Sequence, residues 1–254
     1  MSHVIMASFG NDSIALIQWA REAELEGVTV LYNNTGWAAP WWSERVEQGE
    51  NWVRSLGFNF VETVPERGFM DLVRWKQAFP MGGMQFCTEH LKRTPALRWM
   101  DENAPKGSTV LVGIRRCESR KRAEFPKFTE GSLDQGGRDL WAPLVDHTDE
   151  MRNQLLASAG FDVLPHRSAE CYPCINSGKT MLRFVDEDRI NLIEVFEKEM
   201  GVGKRSGKPK YMFRPSLYSG AQGIREVIRW AGRDKYIAGQ EDMFGDGCDG
   251  GFCE

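Results

Sequence analysis

Cys171 and Cys174, separated by Tyr172 and Pro173, form a C-x-x-C pair. Two thiolates at that spacing can grip zinc, ligate an iron–sulfur centre or exchange a disulfide. The pair alone decides among none of these, and His166, which could complete a zinc site, is as well explained as loop surface. A second cluster lies at the other end of the chain. Ser8-Phe9-Gly10-Asn11-Asp12-Ser13 follows the apolar run Val4–Ala7 and precedes the helix-like stretch Ile14–Ala20. A strand, a small-residue loop and a helix in that order aim free backbone N–H groups and a helix N-terminus at one point, which suits phosphate. Gly10 permits close approach, Ser8 and Ser13 can donate, and Asp12 can cap the helix or organise the loop. Any strand-to-helix turn favours such residues, and neither a Walker loop nor a G-x-G-x-x-G fingerprint is present.

Cationic side chains supply the third element. Arg115 and Arg122, after the apolar run Thr109–Gly113, offer fork-shaped donors for phosphate or sulfate oxygens, and Lys92 offers a movable point charge. Glu118 between the arginines is best placed to anchor one of them. A later basic stretch, Lys198, Lys204, Arg205, Lys208, Lys210 and Arg214, is interleaved with Tyr211 and Phe213, a pattern that can follow a nucleic-acid backbone or serve as an ordinary solvated loop. Trp37, Trp41 and Trp42 could stack on a base or simply pack.

These residues need a frame. The first third alternates short apolar runs with helical periodicity: strands over 4–8, 28–33 and 59–63, helices over 12–26 and 42–56. Such alternation implies a mostly parallel α/β sheet with helices on both faces, whose strand-end loops carry the chemistry. Helices are expected over 68–76 and 88–103, the latter not straight because of Pro95, and a strand over 109–113. Leu140–Val145 reads as a short edge strand and Thr148–Ala159 as a helix capped by Thr148. Helices are expected over 177–184, 187–199 and 222–231, the last two making a mainly helical C-terminal extension. The resulting division is a nucleotide-type domain over 1–185, a helical extension over 186–238 and a Cys-, Gly- and Asp-rich tail over 239–254.

With 254 residues, a formal net charge of -4 and 27% charged residues, the chain is ordinary for a soluble protein, so any nucleic-acid face must be local. No apolar run is long enough to span a membrane and no leader opens the chain, so a cytoplasmic protein with reduced cysteines is expected.

The Ser8–Ser13 loop resembles the Ser-Gly-Gly-x-Asp-Ser pyrophosphate loop of the adenine nucleotide alpha hydrolase-like enzymes, which include the phosphoadenylylsulfate (PAPS) reductase family and the ATP pyrophosphatases. Asn34-Thr35-Gly36 resembles the family's Asp-Thr-Gly, Cys87–Pro95 its Cys-Thr, Leu-Lys and Pro segment, and Gly113–Arg122 its Gly-x-Arg-x-x-Glu-Ser-x-x-Arg motif. Trp141–Leu144 resembles a later segment that closes over the sheet. The resemblance implies a Rossmann-like fold and a nucleotide site at Ser8, Phe9, Gly10, Asn11, Asp12, Ser13, Asn34, Thr35, Gly36, Lys92, Gly113, Arg115 and Arg122. Asn34 departs from the family's Asp and lacks its charge.

The resemblance also implies a [4Fe–4S] cluster, with zinc as the alternative, held by Cys87, Cys171 and Cys174 with Cys248 as fourth ligand. It implies a catalytic cysteine on the C-terminal tail, Cys248 or Cys253, attacking an adenine sulfonucleotide assisted by Lys92 and Arg115, with a thioredoxin- or glutaredoxin-like thiol donor and a homo-oligomeric enzyme releasing sulfite. The family's Glu-Cys-Gly-x-His tail is missing, and both tail cysteines have acidic neighbours, which disfavour a thiolate. The alternatives are an ATP pyrophosphatase using Mg²⁺ to adenylate a nucleic acid or other acceptor for sulfur transfer, and a non-catalytic nucleotide-binding protein.

Overall fold

The computed structural model describes residues 2–232. Tail residues Cys248 and Cys253, and with them the tail division, lie outside the described residues.

Buried β-branched and aliphatic runs form a six-stranded sheet in the order β3-β2-β1-β4-β6-β5. Strands β1 (His3–Ala7), β2 (Val28–Asn33), β3 (Asn59–Thr63), β4 (Thr109–Leu111) and β6 (Arg138–Trp141) run parallel. Strand β5 (Phe128–Ser132) lies antiparallel against β6 at the edge. This corrects the expected edge strand over 140–145: β6 begins earlier and is interior, because the unanticipated β5 covers it. Exposed Phe128 and Glu130 with Gly131 gave β5 little apolar signal.

Along β1, side chains alternate between two cores. Val4 and Met6 join Ala96 and Met100 of α5 (Thr94–Asn103) on one face. Ile5 and Ala7 meet Ile14, Leu16 and Ile17 of α1 (Asn11–Glu22) on the other. Helices therefore cover both faces, the arrangement a parallel sheet requires. The second core also takes in α2 (Trp42–Ser55), α3 (Phe69–Lys76), α6 (Asp149–Ala159), α7 (Lys179–Leu182), α8 (Glu187–Met200) and α9 (Ile224–Gly232), so the C-terminal helices pack on the same apolar mass as the sheet.

Local signals behave as their chemistry dictates. Thr148 caps α6 by accepting from the Met151 N–H at 3.3 Å. The expected bent helix over 88–103 is a short α4 (Phe86–Thr88), a π-turn over Glu89–Arg93 and then α5, with Pro95 in its first turn, where a missing N–H costs no helical bond. Strand order reverses between β1 and β4, and the crevice at their carboxyl ends is where such sheets bind ligands.

Candidate nucleotide and thiol site

The Ser8–Ser13 loop leaves the end of β1 at that reversal point. Gly10 is the N-cap of α1 and its carbonyl accepts the first helical bond from Ile14, while the Ser8 hydroxyl accepts from the Gly10 N–H. Residues Leu164–Ser168 lie across the loop. A β-carbon at Gly10 would stand 3.1 Å from Ser168 Cβ, so glycine is what lets the two segments touch. Asn11 brackets the same contact: its amide donates to the Leu164 carbonyl at 3.0 Å and its carbonyl accepts from the Leu164 N–H at 2.9 Å. The Phe9 side chain turns the other way, fully buried in the core. It brings only its backbone to the loop, held at a φ of 59°.

Asp12 faces a group of arginines. Arg115 donates from Nε to Asp12, from Nη2 to Asp149 at 3.0 Å and from Nη1 to the Cys117 sulfur at 2.9 Å. Arg152 on α6 adds a second cation, 3.4 Å from Asp149 and 3.9 Å from Asp12. Burial works against the Arg115 charge, but the neighbouring Asp12 and Glu118 carboxylates more than offset it and hold the guanidinium firmly protonated. Glu118 accepts from the Arg115 backbone N–H at 2.8 Å and from Arg122, anchoring that arginine as expected. Burial and the Asp12 charge push the Glu118 carboxyl up. Gly10, Asp12, Arg115, Glu118, Arg152, Arg167 and Ser168 line a cavity of about 380 Å³ beside the loop.

A second cavity adjoins it. Its lining includes Thr35, Cys87, Lys92, Glu170, Cys171, Cys174 and Ser177, and it shares Arg167, Ser168, Gly178 and Met181 with the first. The C-x-x-C segment is fixed there by backbone bonds to the end of β2: Ala39 N–H to the Ala169 carbonyl at 2.9 Å and Tyr172 N–H to the Trp37 carbonyl at 2.8 Å. The Thr35 hydroxyl donates to the Glu170 carbonyl at 2.5 Å. Asn34 accepts from Gly36 N–H at 3.0 Å and donates to Glu62, so the Asn-Thr-Gly motif ties the strand end together.

Inside, Lys92 and Glu170 form a buried ion pair. Burial opposes the ammonium, but Glu170 holds its proton on, while burial pushes the Glu170 carboxyl up against the pull of Lys92. Burial pushes the Cys87 thiol up to about 12. Cys174 is drawn the other way, down to about 6, because Cys171 hydrogen-bonds to it, and the Cys171 thiol rises in return. The buried Ser177 hydroxyl has no hydrogen-bond partner among the described residues.

The structure thus brings Cys87, Cys171, Cys174 and Lys92 to one cavity and Gly10, Asp12 and Arg115 to its neighbour. Ser8, Ser13, Gly113 and Arg122 are buried behind them. Among the described residues no three or more His, Cys, Asp or Glu side chains are arranged to hold a metal ion. The expected [4Fe–4S] cluster or zinc, for which Cys248 is the fourth ligand, therefore has no fitting donor set among the described residues. Sequence reasoning missed Glu170, Arg152, Arg167 and Ser168. Only Glu170 had a signal, its place immediately before Cys171.

A phosphate-type loop at a sheet reversal point, walled by arginines, is the arrangement of an α/β fold with a candidate anion site. More narrowly, the chain belongs to the family of the phosphoadenosine phosphosulfate reductase domain, whose model matches residues 2–172. It is similar to the "Uncharacterized 37.8 kDa protein in gpa 5'region" of Escherichia phage 186, at 29% identity over 127 residues, 45% of this chain and 36% of that protein. It is also similar to the "Uncharacterized nin region protein ORF290" of Escherichia phage lambda, at 25% identity over 181 residues, 69% of this chain and 57% of that protein. The chain therefore spans between about a third and just over half of these relatives. Among solved structures it is similar to the PAPS reductase from Candida auris in complex with phosphate, at 12% identity and a TM-score of 0.44, over 64% of this chain and 75% of that one. No described helix is long and apolar enough to cross a membrane.

Proposed function

We propose that this chain is a sulfonucleotide reductase-like enzyme that binds phosphoadenylylsulfate or adenylylsulfate at the Ser8–Ser13 loop and releases sulfite in a thiol-dependent step. The observation that carries the reading is the wall of Arg167, Ser168, Gly178 and Met181 common to the arginine-lined cavity and the thiol cavity. A nucleotide with its phosphate at the loop and its sulfuryl group toward Lys92 bridges the two. The Asp12–Arg115 pair holds the loop, and the Lys92 ammonium offsets the sulfuryl charge.

In this reading a cysteine thiolate, Cys248 or Cys253 of the tail, attacks the sulfuryl sulfur. An S–S bond forms as the S–O bond to the nucleotide breaks, and AMP or adenosine 3′,5′-bisphosphate leaves. A thiol of a thioredoxin- or glutaredoxin-like donor then attacks the cysteine sulfur, making a disulfide and expelling sulfite. The two electrons come from the two thiols. The test is sulfite release from each sulfonucleotide by the full chain, purified without oxygen and supplied with a dithiol. Sulfite formation that is lost in a C248S/C253S variant is expected. No sulfite from either substrate overturns the reading; pyrophosphate release from ATP would then assign an ATP pyrophosphatase, and tight nucleotide binding without turnover a binding protein.

A further inference from the structure

We infer that the loop following α8, together with the end of α3, forms a binding track for a single-stranded nucleic acid. From Met200 to Arg225 the sequence contains no acidic residue, while it carries Lys204, Arg205, Lys208, Lys210 and Arg214 ahead of Arg225. Those five side chains make no ion pair within the described residues, and Lys204, Arg205, Lys208 and Arg214 are exposed. In a chain whose formal net charge is -4, this is a local concentration of uncompensated positive charge. The loop is held in shape rather than left to wander. Glu197, buried on α8, accepts from the Met212 N–H at 2.9 Å and from the Ile224 N–H at 3.0 Å, and Val202 pairs with Pro209. Phe213, grouped in the sequence with the basic residues, is instead fully buried and anchors the loop to the core.

The held loop forms one wall of a groove of about 760 Å³, with Lys208, Lys210, Tyr211 and Arg214 on one side and Phe79 and Met81 on the other. That second wall, Gln77–Met81, directly continues α3, whose last two residues are Trp75 and Lys76. Trp75 is 53% exposed and carries two cations against its ring, the Lys76 ammonium at 4.2 Å and the Arg67 guanidinium at 5.0 Å. Arg67 is itself paired with Glu66 at 2.7 Å, so the free positive charge is that of the loop lysines and arginines. Aromatic faces and loop cations together meet the two demands of a single strand: its phosphates need positive charge and its unstacked bases need flat apolar platforms. Duplexes hide their bases, and acidic peptides have none to stack, so both fit the groove less well.

The inference stands apart from the sulfonucleotide reading, and its test uses no nucleotide substrate. Fluorescence anisotropy of labelled twenty-nucleotide oligo-dT and oligo-U is measured with the full chain from 50 to 300 mM salt, with a duplex of equal length and poly-glutamate as comparisons. Either single strand is expected to bind more tightly than both comparisons, with log affinity falling by about 0.7 per neutralised phosphate for each unit of log salt. The exposed substitution Trp75→Ala is expected to weaken binding about 5- to 100-fold. A K204A/K208A double substitution is expected to flatten the salt slope by about one unit or more. Salt-insensitive binding, equal binding of duplex or poly-glutamate, or unchanged affinity in both variants with unchanged thermal unfolding overturns the inference.

Discussion

The ring of Phe9 lies against the backbone of Gly49 so closely that a β-carbon at position 49 would stand 2.3 Å from Phe9 Cδ1. Phe9 belongs to the phosphate-type loop and Gly49 to α2, so the contact fixes the loop to its neighbouring helix. The ring is fully buried, 5.8 Å from the Tyr32 ring and 6.0 Å from that of Phe60, and its burial offsets the cost of a left-handed backbone at a bulky residue, about 1–3 kcal/mol.

Gly49→Ala is therefore expected to lower stability by about 1–3 kcal/mol through overpacking and to weaken adenine nucleotide binding by displacing Phe9. Denaturant unfolding and nucleotide titration check it. A wild-type midpoint would show that the contact is not needed.

The arginine group gives a second expectation. Asp12→Asn removes the carboxylate paired with Arg115 Nε, leaving the exposed Asp149 as its direct ion pair and the Glu118 charge nearby, and is expected to cost roughly 2 kcal/mol and most of the nucleotide affinity. Arg115→Lys is expected to fare no better, since an ammonium cannot reach Asp12, Asp149 and Cys117 in one plane. Retained affinity in both variants would remove this cluster from the site.

Lys92 and Glu170 should behave as a unit. Lys92→Met alone strands a buried carboxylate and is expected to cost about 3–5 kcal/mol, whereas Lys92→Met with Glu170→Leu should recover much of that. Sulfite release, under the proposed function, should stay lost in the double variant because the ammonium is still missing. Recovery of both together would assign the pair a purely structural role.

Thiol reactivity follows the sign of the shifts. Cys174 lies at about 6 because Cys171 hydrogen-bonds to it, so its thiolate fraction rises as pH climbs through about 6 and is nearly complete at neutral pH. Alkylation by iodoacetamide, followed by mass spectrometry, should reach a plateau for Cys174 above about pH 7, while Cys87, pushed up to about 12, stays unmodified. Cys171→Ala should move the Cys174 profile upward. A Cys174 profile already rising only above pH 8 in the unsubstituted protein would contradict the hydrogen bond.

The central alternation of the fold was readable because each element in the first third carries its own period and punctuation. Val4–Ala7, Val28–Asn33 and Asn59–Thr63 are short apolar runs ended by loops, and Thr148 stands where a cap must. Strand β5 was not readable, since an edge strand facing solvent needs no apolar run. The site divides the same way. Residues within one motif, such as Gly10 with Asp12 or Arg115 with Glu118, could be grouped from spacing alone. Glu170 against Lys92 and Ser168 against Gly10 depend on a chain crossing over more than seventy residues, which no local pattern encodes. Phe9 shows the converse limit: its position in the loop was legible, but the direction of its side chain was set by a glycine forty residues away.

Two residues separate Ser168, which touches Gly10, from Cys171, whose neighbours are bonded to Trp37 and Thr35 at the end of β2. So short a tether has no slack. Any displacement of the thiol pair, such as closing a Cys171–Cys174 disulfide, must be felt at the phosphate-type loop, and a ligand that fixes the loop must in turn stiffen the thiols. The two chambers hang on one short stretch of backbone, so a shift in either is a load on the other.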